Sequence, residues 1–551
     1  MVNSVNAFRL LLTLLLVPGL FACSEDRMGY FDGGEDPLYP DQWHLYNSGQ
    51  VSGVVGLDIN VEPVWAQGIK GEGQVIAVVD DSVQIRHPDL YPNVLSAYSW
   101  DYIQRNPDPS PDEASMYHGT MVAGVAAARD LNDEGGRGVA PRADLVGFAL
   151  FANNSVVLSD AVGAMTRYMN VVDVSNNSWG FGIDNNGMLW PADAAWDAAI
   201  KNGVDHGRNG KGLIYIWAAG NGGYGEVDNA NFDDQSNGPY VIPVCAVDEE
   251  GRRAYYSEQG ANLWVCAPGG AYTLGATGGY SLVTTDLTGR AGHNKGVSMG
   301  QDYQDLDYTT YFAGTSAAAP VVSGVVALML EANPALTWRD VKLILAESAV
   351  MSADVGSLNW AQTNPASGQP SYHINHEYGF GMVDASAAVE LAKIWHTAGR
   401  AVGNSSTLQT NSVESGFLGS FDLDGLPVPL ALANGGVAVY DLAVDTDLII
   451  EFVEVMFSAT AADMGNIKIT LIAPPVAGAN ATQSVLAHAM ACNTGDTESD
   501  IACDVGYADG WTFGSSRHLG ESSLGTWQLR LENNSGAAIG IESWELKFYG
   551  R

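Results

Sequence analysis

Gln74-Val75-Ile76-Ala77-Val78-Val79-Asp80-Asp81 combines an unbroken apolar run with two carboxylates at its end. The apolar residues, mostly β-branched, read as a strand buried on both faces, as in a parallel sheet. The closing carboxylate falls at the carboxyl edge, where α/β folds place their sites. Outward from this stretch, buried strands alternate with helical segments from about residue 72 to 390, with strands expected at Val75–Val79, Leu145–Leu150, Val171–Ser175 and Ile214–Ala218. The alternation predicts an α/β fold, a parallel sheet with helices on both faces.

Three further stretches carry chemistry beside Asp80. Phe312-Ala-Gly-Thr-Ser316-Ala-Ala-Ala-Pro320 delivers one hydroxyl and runs into a buried helical pattern over Val321–Leu330. A serine there can cap the helix, and it also sits in the helix's positive field. Tyr117-His118-Gly119-Thr120 opens a second small-residue helix, with His118 at its start. Ile214-Tyr-Ile-Trp-Ala-Ala-Gly220-Asn221-Gly222 is a strand ending in a side-chain amide suited to donate to an oxyanion. The chain order Asp80, His118, Ser316 is one of the known arrangements of the serine-hydrolase triad.

These motifs resemble the subtilase family and, within it, the kexin/furin-like proprotein convertases. The resemblance implies a calcium-dependent serine endopeptidase with a subtilisin-like sheet. Ser316 would be the nucleophile, His118 the general base, Asp80 its orienter and Asn221 the oxyanion donor. It further implies one Ca²⁺ held by Asp184 (or Asn185 in its place), Asp228 and Glu258, and a second held by Asp36, Asp89 and Asn132 with the backbone carbonyls of Arg129, Glu134 and Gly136. Hard oxygen ligands on loops suit this cation. Asp184 and Asp233, with Trp179 beside them in the motif, would select Arg or Lys at the residue preceding the cleaved bond (P1). Asp81 would face a basic residue one position earlier (P2). Ser115, Gly163 and a residue near Pro191 stand where more acids are expected, so selection should be looser than in furin-like enzymes. A broad-specificity subtilase whose loop acids only bind calcium is the competing enzyme reading. An inactive surface binding protein is the non-enzyme reading, opposed by the complete set of catalytic residue types.

From about 414 the pattern changes to short alternating runs, such as Ile449-Ile-Glu-Phe-Val-Glu-Val and Trp527-Gln-Leu-Arg-Leu-Glu, separated by turn residues. This reads as an antiparallel sandwich. Gly510-Trp-Thr-Phe, His518-Leu-Gly-Glu521 and Trp544-Glu-Leu-Lys-Phe-Tyr-Gly550 resemble the convertase P domain, an all-β jelly-roll-like unit. The expected organisation is a signal peptide (1–22), a lipidated tether (23–35), a peptidase domain (36–395), a linker (396–412) and the P domain (413–551).

The apolar run Leu10–Leu20 suits a signal peptide, and Leu20-Phe-Ala-Cys23 resembles a bacterial lipobox with Cys23 lipidated. The location expected is the bacterial cell envelope, as an outer-membrane or periplasmic lipoprotein, or alternatively secretion. Membrane contact would be through the N-terminal lipid alone, since no later run reads as long and apolar enough to span a bilayer. Protease-like sequence begins near Asp36, leaving no room for a folded pro-segment; folding without one, or with a chaperone or inhibitor acting in its place, are the two alternatives this leaves open. A net charge of −38 argues against nucleic acid as a partner and fits basic polypeptide substrates and calcium. Cys492 and Cys503 flank a polar loop and are expected to form a disulfide, whereas Cys245 and Cys266, in apolar strands, read as buried free thiols.

Overall fold

The structure is a computed structural model that describes residues 35–551 except 52, 153–154, 181–186, 188, 225–227, 272–280, 297–301, 352–359, 461–465 and 489–506. The expectations for the signal peptide, Cys23, Asp184, Cys492 and Cys503 lie outside the described residues.

Seven strands form the first sheet: β1 (Val75–Asp80), β2 (Trp100–Asp101), β3 (Asp144–Ala149), β4 (Val174–Asn177), β5 (Ile214–Ala218), β6 (Val241–Val247) and β7 (Val265–Pro268). Their order is β2-β3-β1-β4-β5-β6-β7, parallel throughout. Helices α1 (His118–Ala127) and α4 (Thr315–Ala332) pack together against the sheet, while α2 (Leu158–Thr166) and α3 (Ala194–Gly210) pair with each other. Tyr215 and Trp217 of β5 turn toward that second pair: the Tyr215 hydroxyl donates to Met165 O at 2.5 Å, and Trp217 packs edge-on to Trp196. Helices on both faces, as expected, leave every side chain of β1 buried.

One strand expectation shifts. Strand β4 starts at Val174 rather than Val171, because the chain turns at Tyr168 (φ +52°) and the Val171 and Val172 amides close onto Tyr168 O. It then runs on through polar Asn176 and Asn177, whose buried amides find partners in the interior. The expectation of no later membrane-length apolar run also needs correction. Helix α4 is 18 residues long and apolar enough by composition, but 83% of it is buried in the protein. It is a core helix, which the hydropathy of a buried element cannot separate from a spanning one.

Cys245 and Cys266 are disulfide-bonded, not free thiols. They stand directly opposite each other on the adjacent parallel strands β6 and β7, with Cα atoms 4.3 Å apart. Their separation of 21 positions in the chain hid this juxtaposition, which strand order and register create.

The C-terminal unit is the antiparallel sandwich. After a separate antiparallel pair, β8 (Leu282–Thr285) and β9 (Tyr308–Phe312), strands β10 (Gln409–Glu414), β11 (Val437–Val444), β12 (Ile450–Thr460), β13 (Ile467–Ile472), β14 (Gln483–Ala487), β15 (Trp511–Ser515), β16 (Gly525–Asn533) and β17 (Ile539–Gly550) form two sheets. One is ordered β10-β17-β12-β15, with Leu430–Leu432 also on β17; the other is β11-β16-β13-β14. Inward residues such as Val453, Val455, Phe457, Leu529, Leu531, Leu546 and Phe548 meet in its core.

The two units are pinned to each other. In helix α5 (Trp338–Ser348), Arg339 forms a bidentate pair with Glu451, Nε–Oε2 at 2.8 Å and Nη2–Oε1 at 2.5 Å. Its Nη1 also donates to the carbonyls of Val402 and Asn404, so the stretch read as a linker is bound down; β10 already begins within it at Gln409. Arg551 adds a second cation on Glu451 at 3.0 Å. Burial makes the paired charges interdependent. The Glu451→Gln variant keeps the volume but removes the charge, and should lose about 2 kcal/mol of unfolding free energy, the scale of a charge-assisted bond. Guanidinium titration reads this, and an unchanged midpoint would contradict it.

Candidate active site

The four expected catalytic residues come to the carboxyl edge of one sheet. Asp80 ends β1 and is fully buried, and its Oδ1 lies 2.8 Å from His118 Nδ1. The α1 start is pressed onto the end of β1, since a Cβ at Gly119 would lie 2.1 Å from Ser82 O and 2.7 Å from Asp80 Cβ. Burial of the His118 ring opposes its charged form, but the Asp80 carboxylate, by charge and hydrogen bond, outweighs burial and raises the imidazole pKa. Phe312 meets the His118 ring edge-on at 5.5 Å, fixing it from the other side.

Ser316 is reached through Gly314, whose φ of +114° and ψ of 170° only glycine adopts readily. Its Oγ donates to Ser178 O at 3.1 Å rather than to His118. Catalytic hydrogen bonds of this kind often form only with substrate present. Ser178 returns the contact: its hydroxyl donates to Ser316 O at 2.9 Å. Pro320 explains why that carbonyl is available, because the residue four positions on has no N–H to give it. Behind Ser178, Asn176 Nδ2 donates to Ser178 Oγ at 3.0 Å, and Ser323 Oγ donates to Asn176 Oδ1 at 2.8 Å. This buried chain ties β4 to α4 under Ser316. Nothing in the sequence marks Ser178, or Thr315 beside Ser316, as part of this arrangement.

Asn221 follows β5. Its Oδ1 accepts from Thr315 N at 2.9 Å and Thr315 Oγ1 at 3.0 Å, which leaves the NH₂ end of the amide for a ligand beside Ser316. The Thr315 hydroxyl also accepts from Gly220 N at 3.2 Å. Such a pinned amide needs no reorganisation when charge develops.

The acids divide. Glu258 lies under the Asn221 loop: its Oε1 accepts from Gly222 N at 3.0 Å and is 2.2 Å from where a Cβ on Gly220 would be. Asn229 and Gln259 form a parallel bridge, which sets the buried Asp228 and Glu258 side by side. Asp233 caps a short helical turn, its Oδ1 accepting from Gln235 N at 3.2 Å. Its Oδ2 comes within 2.9 Å of a Cβ position on Gly180, next to Trp179. Trp179 is wedged edge-on to Trp196 and Trp217, and its carbonyl accepts from Trp217 Nε1 at 2.8 Å. The sandwich domain holds this loop: Gly514 N donates to Asn231 Oδ1 at 2.7 Å, and Phe232 enters the sandwich core.

Asp81 engages backbone amides. Its Oδ2 accepts from His118 N at 3.0 Å, and its Oδ1 accepts from Gly119 N at 2.9 Å and Ser82 N at 2.5 Å. Burial and then the neighbouring Asp80 charge raise its pKa.

The other expected cation position is a loop wrapped around buried Asp89. Asn132 Nδ2 and Gly136 N donate to its two oxygens at 3.0 and 3.3 Å, and Arg129 N donates to Asp89 O at 2.8 Å. Asp36 accepts from Leu131 N at 2.6 Å and pairs with Arg137. Glu134 is close enough for its charge to add to the raised Asp89 pKa, whose main cause is burial. Asp89 therefore carries a desolvated carboxylate with amide donors and no cationic partner among the described residues. Those residues include no cluster of three or more His, Cys, Asp or Glu side chains able to hold a metal. The oxygens brought together here are the Asp89 and Asp36 carboxylates, hard ligands of the type calcium takes, and in this structure they accept from N–H groups, the Asn132 Nδ2 among them.

Residues 71–381 match the subtilase family, and residues 450–548 match the proprotein convertase P-domain. Kexin of Saccharomyces cerevisiae is 31% identical over 538 residues, covering 96% of this chain and 57% of kexin. The chain thus spans little more than half the length of that relative. A dibasic-processing endoprotease of Schizosaccharomyces pombe is 32% identical, covering 94% of this chain and 66% of that protein. Among solved structures, a serine protease of Aeromonas sobria in complex with a chaperone aligns with a TM-score of 0.79 at 26% identity, covering 94% of this chain and 95% of that one.

Proposed function

The chain belongs to the subtilase family of serine endopeptidases and carries a convertase P-domain, and on that premise we propose that it is a calcium-dependent endopeptidase cutting after Arg or Lys, favouring a dibasic pair. Ser316 Oγ attacks the scissile carbonyl carbon as His118 Nε2 takes its proton. Asp80 keeps the proton on Nδ1 and stabilises the imidazolium. The Asn221 amide and Ser316 N–H hold the oxyanion. Collapse expels the amine, which takes the proton from His118, and leaves an acyl-Ser316 ester. Water, deprotonated by His118, then hydrolyses that ester and regenerates the hydroxyl. The observation that carries this reading is the Asp80–His118 bond at 2.8 Å beside a serine at the start of a buried helix, with Asn221 pinned next to it.

A basic P1 side chain is favoured by Asp233, half-buried beside bare Gly180. The dibasic-processing relative supports the same reading. Calcium, when bound, would neutralise Asp89 and Asp36 at one site and Asp228 and Glu258, with Asp184, at the other. The chaperone bound to the Aeromonas protease makes a comparable partner part of this proposal.

One experiment tests specificity and metal together: profiling cleavage across P1 residues for the wild type and Asp233→Ala, with and without chelator. Wild type should prefer P1 Arg or Lys, and Asp233→Ala should lose about tenfold or more of that preference, as expected when a charge-assisted bond is removed. Chelation should lower activity and the thermal midpoint. An unchanged P1 profile in Asp233→Ala supports the broad-specificity reading instead, and full activity after exhaustive chelation removes the calcium claim.

A further inference from the structure

Arg252-Arg253 is the sole pair of adjacent basic residues in the 551-residue sequence. It lies in the connection between β6 and β7, in a turn that carries Arg252 exposed at its tip. Exposed loop tips are where proteases nick folded chains, provided the backbone there can be freed. The disulfide brackets the pair: Cys245 precedes it on β6, and Cys266 follows it on β7. We propose that the bond between Arg253 and Ala254 is a self-cleavage site, cut in one copy of this chain by the active site of another when the turn opens, with the disulfide keeping the cut chain in one piece. The inference rests on the proposed preference for a dibasic pair.

A latch of short-range bonds closes the turn. Asp248 Oδ1 accepts from Glu250 N at 3.0 Å and Arg252 N at 2.9 Å, and Asp248 Oδ2 pairs with Arg252 Nε at 3.0 Å. Asp248 N donates to Arg252 O at 2.9 Å, and Gly251, at φ +75°, completes the reversal. Arg253 is held more deeply. Its N–H donates to the buried Tyr378 hydroxyl at 2.6 Å, and its Nη1 donates to Ser257 O at 2.8 Å. Across the scissile bond, Ala254 N donates to Ala246 O at 2.9 Å. A peptide bound as a strand must lie extended with its amides free for the enzyme. The closed turn offers neither, so the rate of cutting follows the fraction of molecules in which it is open. The Arg252 side chain is 52% exposed, and its ion pairs add little to closure. The backbone bonds made by Asp248 and Tyr378 carry most of it.

In the cut, Ser316 Oγ of the second copy bonds to the Arg253 carbonyl carbon. The Arg253–Ala254 C–N bond breaks as His118 passes the serine proton to the Ala254 nitrogen. One water then hydrolyses the ester, leaving an Arg253 carboxylate and an Ala254 amino terminus. The two pieces stay joined through Cys245 and Cys266.

The test uses full-length Ser316→Ala, which cannot cut itself, as the substrate of a trace of wild type. Combining Ser316→Ala with Asp248→Ala, and separately with the conservative Tyr378→Phe, should speed cutting after Arg253 by about tenfold or more, as loss of a hydrogen bond or two raises the open population. The product should run as one species without reductant and as two with it, and mass spectrometry should find a new amino terminus at Ala254. Adding Arg253→Ala should abolish this cut. Equal rates for latched and unlatched chains, or cuts elsewhere with Arg253 spared, would overturn the proposal. A Lys-Arg peptide digested in parallel keeps the failures apart. A cut peptide with both unlatched chains intact at Arg253 overturns the self-cleavage site alone, whereas an uncut peptide removes the dibasic reading and this inference with it.

Discussion

Ser316→Ala is expected to reduce turnover by about 10⁶-fold while leaving peptide affinity within a few-fold of wild type. The nucleophile, base and orienter act as a unit, so His118→Ala should lose a comparable amount, and the double variant little more. The fold should survive. The Ser316 hydroxyl makes one bond, to Ser178 O, whereas the Ser316 carbonyl keeps its own bond from the Ser178 hydroxyl in the alanine variant. Pre-steady-state kinetics with an activated ester show the difference directly: a burst in the wild type and none in Ser316→Ala. Residual turnover within about 100-fold of wild type would mean that another group does the chemistry.

Asn221→Ala should lower kcat by about 10²–10³-fold with KM almost unchanged, because the contact forms fully only when the oxyanion does. The variant also leaves Thr315 N–H and its hydroxyl without their acceptor. Thr315→Val separates the two effects, since it keeps the Asn221 donor and removes only one of its two anchors. It should lose less than Asn221→Ala. A fall confined to KM in Asn221→Ala would count against an oxyanion role.

The strand Val75–Asp80 and the helix starts at His118 and Ser316 were legible because a buried parallel strand must be continuously apolar and a buried helix built of small residues must be bare. The candidate catalytic set could be found for the same reason: polar groups stand out where apolar elements end. The relay Ser323–Asn176–Ser178–Ser316 was not legible. Its members lie on two strand and helix segments about 140 residues apart, and each alone reads as an ordinary buried polar residue satisfied by hydrogen bonds. Adjacency to Asp80 likewise does not reveal that the Asp81 carboxylate accepts from the His118 and Gly119 amides, because those contacts depend on where α1 arrives.

What the sequence by itself determined is the kind of fold and the candidate reacting groups. Periodicity marks buried strands and helices, and Asp80, His118 and Ser316 stand out as polar residues where those apolar elements begin or end. Tertiary structure alone decided which groups face one another. Strand order put Cys245 beside Cys266 and closed a disulfide that the 21-residue separation concealed. Docking of α1 on β1 turned Asp81 inward to His118 and Gly119. The sandwich domain drew Asn231 and Phe232 against itself and so braced the loop that presents Asp233. Hydrogen bonds and disulfides act over about 3 Å, and proximity on that scale between residues distant in the chain is set by how the layers stack.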